Sequence, residues 1–446
     1  MKKSQLRRIA LRSNLTPTQV LRSCRNDRRP VALVGRWAGG GAIVSSEPCA
    51  VAASSDDPFA ALSRLPVVEG ATKGAVGGGW FGYLGYQLGG LIEKLPPPPP
   101  RPVAIPHFDL AYYDHVLRYE VGRKQWWFEA LWTPERAGFL DRRLQLLQAR
   151  LQSEPEAGRA YGLGNFNSDP TDECHRAAVS RCIDHIWAGD IFQANLCMRL
   201  EAAFSGDPLD LFCASVQRLS PPYGAFVSSP EASVASLSPE LFLHRAGRAV
   251  SSKPIKGTIR RPSQGAETHH RRLLQASAKD RAENVMITDL VRNDLGRVCL
   301  PGSIRVPSLA RPEPHPGVWH LVTTVTGTLR EEIDDAALLR AAFPPGSVTG
   351  APKIRAMELI AELESSAREA YTGAIGYSSP VAGLELNVAI RTFEICHGRI
   401  WLGAGGGIVA DSDPVGELEE CFTKASPLIE AASSRLSEPA DHLVRA

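Results

Sequence analysis

Several familiar signatures are missing from this sequence. Its 446 residues contain no C-x-x-C, no G-x-S-x-G and no H-E-x-x-H, which argues against Cys-rich zinc sites, esterase chemistry and zinc proteolysis. GSVTGAPK (346–353) has the wrong spacing for a phosphate-binding P-loop. Nine cysteines, an odd number, fit scattered reduced thiols better than a disulfide framework. Charge of one sign is also lacking: 50 Lys+Arg against 48 Asp+Glu leaves a net charge of +2. That excludes a polyelectrolyte field for nucleic acid or anionic membrane. The basic N-terminus MKKSQLRRIALRSNL has no continuous apolar stretch of the kind a signal peptide needs. The one uncharged run of membrane-span length, 74–92, is crowded with glycine and reads as strands and tight turns. A soluble, cytoplasmic protein is expected.

What is present is a globular composition, 43% apolar and 22% charged, long enough to bury a large core without staples. The proline run LPPPPPRPVAIP (95–106) forms an extended connector, because proline has no N–H to donate and a fixed φ. Alternating runs on both sides of it (GGWFGYLGY, LAYYDHVLRYEV, KQWWFEALW) predict antiparallel strands. Helices are expected over 134–151, 174–187, 267–294 and 353–363, and from Pro414 onward. A Gly/Asn/Ser-rich stretch at 158–170 predicts a boundary between an N-terminal subdomain, 1–165, and a catalytic domain, 170–435. Long antiparallel strands with interspersed helices give an α+β class, helices covering sheet faces.

Three constellations carry possible chemistry. In AKDRAENVMITDLVRNDLGRV, Met286, Ile287, Leu290 and Val291 define a helical apolar face, and Glu283 falls on it. A carboxylate there needs a cation, a proton or a metal, and an ion pair with Arg292 is the plain alternative. In the last helix Asp413 is an N-cap and Pro414 suits the first turn. Glu417, Glu420 and Lys424 then share one face, which is either a solvated stripe or, with Glu283, an oxygen-rich Mg²⁺ site. In SKPIKGT, Lys256 is either a solvated lysine or a desolvated amine nucleophile. Gly405-Gly406-Gly407 is expected to form an anion-holding turn after a strand.

In chain order the blocks GDIFQANL, SPELF, PIKGT, DRAENVMITDLVRNDLGRV, FPPGSVTGAPKIRAMELI, YTGAIGY, AIRTFEI and GGGIVADSDPVGELEECFTKA resemble the chorismate-utilising family. That family comprises aminodeoxychorismate, anthranilate, isochorismate and salicylate synthases. The resemblance implies a large antiparallel β-sandwich with helices covering the sheets. Two positions separate its branches. Water-adding members carry a lysine base where this chain has Gln193, and anthranilate synthases have alanine where it has Lys256. P-I-K-G-T resembles the aminodeoxychorismate synthase component I branch, with anthranilate synthase component I as the alternative. A non-catalytic chorismate-binding paralogue is a third reading, disfavoured because binding alone needs neither an acid nor a nucleophile.

The resemblance further implies roles. Mg²⁺ would be held by Glu283 and Glu420 with Glu417 nearby, Lys256 would be the nucleophile and Glu240 the general acid. Gly257, Thr258, Tyr371, Arg391, Lys424 and the Gly405, Gly406 and Gly407 amides would bind substrate, as would His320. No cysteine lies in a glutaminase nucleophile context, so ammonia is expected from a separate glutamine amidotransferase subunit. The product would serve 4-aminobenzoate and folate synthesis. Trp319 and Pro345 depart from the family pattern without removing a proposed catalytic group.

Overall fold

Strand alternation sorts the side chains of this chain into three apolar layers. In Val31–Gly35, Val31 and Leu33 point one way and Ala32 the other; in Tyr223–Ser228, Ala225 and Val227 oppose Phe226. A period of two cannot bury both sets in one core, so each sheet needs a cover on each face. The computed structural model supplies those covers. It describes residues 3–101, 103, 105–261, 267–315 and 317–433, and the expected domain end at 435 lies just outside them.

Two large sheets pack face to face. The larger, 14-stranded sheet runs from Gln193–Ser205 through Arg399–Ile408, Thr392–Cys396, Ser233–Ser238 and Tyr223–Ser228 to Val31–Gly35 and the N-terminal strands. The 10-stranded sheet runs from Ile255–Arg260 through Val318–Thr328, Ala249–Lys253, Leu241–Ala246, Gly383–Val388 and Ala374–Ser379 to Gly79–Leu84. Pairing is antiparallel except for Lys3–Leu11 beside Val67–Glu69. Val31, Leu33, Phe81, Tyr113, Ala225, Ile375 and Tyr377 fill the space between the sheets. Trp37 is wholly buried there, edge-on to Tyr223 at 5.3 Å, with its indole N–H on the Gly224 carbonyl. Burying a side chain of this size stabilises the fold by roughly 3 kcal/mol.

Helices close the outer faces. Pro17–Ser23, Ala137–Gln152, Pro208–Leu219 and Pro414–Ser433 cover the larger sheet. Pro58–Ser63, Ala278–Gly296 and Asp335–Ala342 cover the smaller one. The class is α+β, a sheet sandwich with helical covers. Segments 1–165 and 170–435 both contribute to each sheet, the larger one joining them where Val31–Gly35 pairs with Tyr223–Ser228.

Two local expectations are corrected. The helix expected over 267–294 is two helices, Glu267–Ala276 and Ala278–Gly296. Ser277 separates them: its N–H bonds back to the Leu273 carbonyl, while its hydroxyl accepts the Asp280 amide at 3.2 Å and starts a new helix. Gly405-Gly406-Gly407 is not a turn but lies inside the strand Arg399–Ile408, in register with Cys197, Leu196 and Asn195. Glycine here answers a need for close approach, not for a bend. All nine cysteines are free thiols, and no helix among the described residues is long and apolar enough to cross a membrane.

Candidate active site

The glycine strand is the floor on which the charged groups meet. A Cβ at Gly407 would fall 2.0 Å from Gln193 Nε2 and 3.7 Å from Lys256 Nζ. One at Gly406 would lie 2.8 Å from Glu417 Oε2 and 3.8 Å from Glu420 Oε1. Lys424 Nζ donates to the Gly405 carbonyl at 2.7 Å, so this carbonyl serves the site. Any side chain at 406 or 407 would displace a functional group, which is why backbone alone stands there.

Lys256 enters from the edge strand Ile255–Arg260 of the other sheet. Its amine has no hydrogen bond or ion pair among the described residues, and burial pushes it below the ordinary lysine range. Glu283 opposes that shift, Lys424 adds to it, and Glu240 and Glu420 oppose it again. The backbone around Lys256 is fixed from the long helix, since Asn284 Nδ2 donates to the Lys256 carbonyl at 2.9 Å. Gly257 has φ +82°, and a Cβ there would stand 3.0 Å from the Asp280 carboxyl carbon. Both strain and crowding therefore exclude other residues at that position.

Glu240 sits between strands Ser233–Ser238 and Leu241–Ala246 and is 3% exposed. Burial lifts its carboxyl to about 7, against hydrogen bonds from Ser347 and the Ile255 amide and the charge of Lys256. It lines a small cavity with Ser347, Pro254, Ser252 and Val388. Glu240 and Lys256 are close enough for each to shift the other.

The guanidinium of Arg391, a residue at φ +53°, has no hydrogen bond or ion pair among the described residues, and burial lowers its affinity for its proton. A desolvated, unpaired guanidinium is poised for an anion. Thr258 Oγ1 and His320 Nδ1 share a hydrogen bond at 2.8 Å, and His320 is held well below the ordinary histidine range by burial. Tyr371 lies over Gly403, where a Cβ would come within 2.2 Å of its ring. Gln193 is 1% exposed, and its Oε1 has no partner.

The three glutamates offer hard oxygen donors for a divalent cation. Among the described residues Glu417 Oε2 is buried without a hydrogen-bond partner, while Ser412 donates to its Oε1 at 2.6 Å. Burial raises the carboxyls of Glu283 and Glu417, and neighbouring carboxylates add to both effects. Burial acts the same way on Glu420, but Lys424 at 2.7 Å holds it below the ordinary range. Lys279 stands 3.9 Å from Glu417. These two ammonium groups supply local positive charge, and no closed set of three metal-ligating side chains occurs among the described residues. The carboxylate chemistry and the orphaned Glu417 oxygen suit a hard divalent cation, but the three side chains do not stand as a ligand set. The alternative pairing of Glu283 with Arg292 does not occur: Arg292 holds Asp289 at 2.6 Å. Met286 is only partly buried, and Asn284 and Thr288 replace it on the inward face.

Other contributors were not singled out from the sequence. Ser347 lay within FPPGSVTGAPK but gave no periodic signal of its role, and Asn284 was hidden beside Glu283. Lys353 anchors the Ser347 turn, donating to Asp294 at 2.6 Å, the Ala342 carbonyl at 2.9 Å and the Pro344 carbonyl at 3.0 Å. Lys353→Met strands the buried Asp294 carboxylate and is expected to cost about 3–5 kcal/mol in urea unfolding. Adding Asp294→Asn should recover part of that loss. Equal stability of wild type and Lys353→Met would contradict the anchoring role.

Known proteins resemble this chain in sequence and in fold. Residues 38–430 match the family of chorismate binding enzymes. The chain is 38% identical over 360 residues to aminodeoxychorismate synthase component 1 of Klebsiella aerogenes, covering 80% of this chain and 78% of the relative. It is 36% identical over 413 residues to anthranilate synthase component 1 of Streptomyces coelicolor, covering 87% and 80%. Anthranilate synthase component I from Streptococcus pneumoniae superposes with a TM-score of 0.75 at 25% identity, over 95% of this chain and 92% of that one. A family match over most of the sequence, relatives of this identity and coverage, and a shared sheet sandwich together show that the chain belongs to the chorismate binding enzyme family.

Proposed function

We propose that this protein is the synthase component that aminates chorismate at C4 to give 4-amino-4-deoxychorismate. The observation that carries this reading is a buried carboxyl titrating near 7 beside an unpaired, desolvated lysine. Similarity to the Klebsiella aerogenes component 1 supports it.

In this reading Arg391 takes the enolpyruvyl carboxylate, with Tyr371 and the open edge of the glycine strand beside it. Thr258, Gly257 and His320 line the ring. Lys256, neutral when it reacts, attacks C2 and forms a C–N bond as the double bond shifts. The C4–O bond breaks, and protonated Glu240 delivers its proton to the departing hydroxyl, which leaves as water. Ammonia then bonds to C4, the double bond shifts back and the lysine nitrogen leaves C2. One excess proton from the added ammonia returns to Glu240. Gln193 replaces a basic side chain that would activate water, so ammonia is the favoured nucleophile. Glu283, Glu420 and Glu417 would hold Mg²⁺, which would neutralise the ring carboxylate. The ammonia source is a separate glutamine amidotransferase subunit, and the product feeds 4-aminobenzoate and folate synthesis. Nine free thiols are in keeping with the cytoplasm as the setting.

Similarity to the Streptomyces coelicolor protein favours anthranilate synthase component I as the second reading, and Lys256 speaks against it. Incubation with chorismate, Mg²⁺ and ammonium should give a product that aminodeoxychorismate lyase converts to 4-aminobenzoate. Formation of anthranilate or isochorismate instead overturns the proposal. Exhaustive EDTA treatment should abolish turnover and added Mg²⁺ restore it; full activity in EDTA removes the metal from the scheme.

A further inference from the structure

Two imidazoles lie together within reach of the Arg391 charge. His315 ends the strand Arg305–His315 and His320 lies near the start of Val318–Thr328. They are 5% and 2% exposed, and their rings meet edge to face with centroids 4.7 Å apart. His320 Nδ1 is satisfied by Thr258. Among the described residues, His320 Nε2 and both ring nitrogens of His315 are buried with no hydrogen-bond partner. Leaving polar atoms dry and unpaired is costly, and folded proteins retain such groups where a ligand completes them. A phenyl ring would fill the same space at no such cost, so packing alone does not account for an imidazole at 315.

The charged surroundings indicate what would complete it. Burial, and after it the charges of Arg36 and Arg391, drive the His315 imidazole down to about 4. Arg36 also faces Glu313 at 3.8 Å. His315 is thus a neutral ring, with one N–H to give, in a locally positive pocket beside an unpaired guanidinium. We infer that His315 is a substrate-binding residue whose ring N–H donates to the carboxylate held by Arg391, making the pocket selective for a carboxylated side chain. This rests on the proposed chorismate reading, and no role for His315 follows from the resemblance set out above.

The test compares His315→Phe, which keeps the ring and removes both nitrogens, with His315→Gln, which keeps a donor. His315→Phe is expected to raise KM for chorismate about tenfold with kcat within about twofold, and His315→Gln to recover part of the loss. Unchanged KM in a folded His315→Phe protein overturns the inference. Chorismate affinity is measured in parallel by calorimetry. Wild type that binds chorismate but forms no amination product would refute the proposed reaction, while the variants' affinities would still decide the role of His315. If His315→Phe does not fold, ¹⁵N-histidine spectra of the wild type serve instead. Chorismate should then shift the His315 ring resonances, and unmoved resonances at saturation overturn the inference.

Discussion

Lys256→Ala should lower 4-amino-4-deoxychorismate formation by roughly a thousandfold or more, the scale on which loss of a covalent nucleophile is felt. The fold should survive. The lysine amine makes no hydrogen bond or ion pair among the described residues, so its removal strands no dedicated partner and ends a desolvation cost. Thermal unfolding should therefore show a variant at least as stable as wild type near neutral pH. Its lowered proton affinity has a definite sign for stability. A lysine whose folded-state pKa lies below its unfolded value destabilises the fold as pH falls, so any gain on mutation should be larger at pH 6 than at pH 9. Product analysis by mass is the sharper readout, because C2 chemistry of the anthranilate type needs no lysine adduct and could persist. An undiminished rate of C4 amination would end the covalent role.

Glu240→Gln should lose between a hundredfold and ten-thousandfold in kcat, the usual worth of a positioned general acid. The pH dependence follows from the raised carboxyl. Glu240 must carry its proton to act, so wild-type kcat/KM should fall as pH rises through about 7, and this limb should vanish in the variant. Stability moves the opposite way to activity. The folded state holds its proton up to about 7 whereas the ordinary value is 4.5, so folded protein binds more protons across that interval and loses stability as pH rises through it. By pH 8 the cost reaches roughly 3 kcal/mol. Glutamine cannot ionise and escapes it. The expected result at pH 8 is a variant that is nearly inactive yet unfolds at higher urea than wild type. Equal unfolding midpoints at pH 5 and pH 8 for the wild type would show that the carboxyl is not perturbed as described.

These two residues show how unevenly the site was written in the sequence. Lys256 was visible because proline and glycine bracket it in PIKGT, and the last helix announced itself through Asp413, Pro414 and the i, i+3 spacing of Glu417 and Glu420. The helix expected near 353–363 is Lys353–Leu363. Periodicity missed the break at Ser277, because a serine hydroxyl that caps a helix and one that rides on its surface look alike without the neighbouring amide. It also misread Gly405-Gly406-Gly407. Glycine runs signal a bend or a close approach, and only the position of Gln193, Lys256 and Glu417 beside the strand decides between them. Glu240 had no local signal at all. Its raised carboxyl comes from burial between two strands, which outweighs the opposing hydrogen bond from Ser347, more than a hundred residues away in sequence.

Local pattern and ordered motifs were enough for the α+β class, most helices and strands, the family resemblance and the chemical types available for catalysis. Tertiary structure alone decided which charges meet. The near-neutral total of 50 basic and 48 acidic residues is spread over many structural ion pairs, such as Arg245 with Asp335 and Lys353 with Asp294. Among the described residues, Arg391 and Lys256 are left without such partners, desolvated at the meeting ends of two sheets. Desolvation and pairing are properties of three-dimensional neighbours, and no spacing along the chain encodes them.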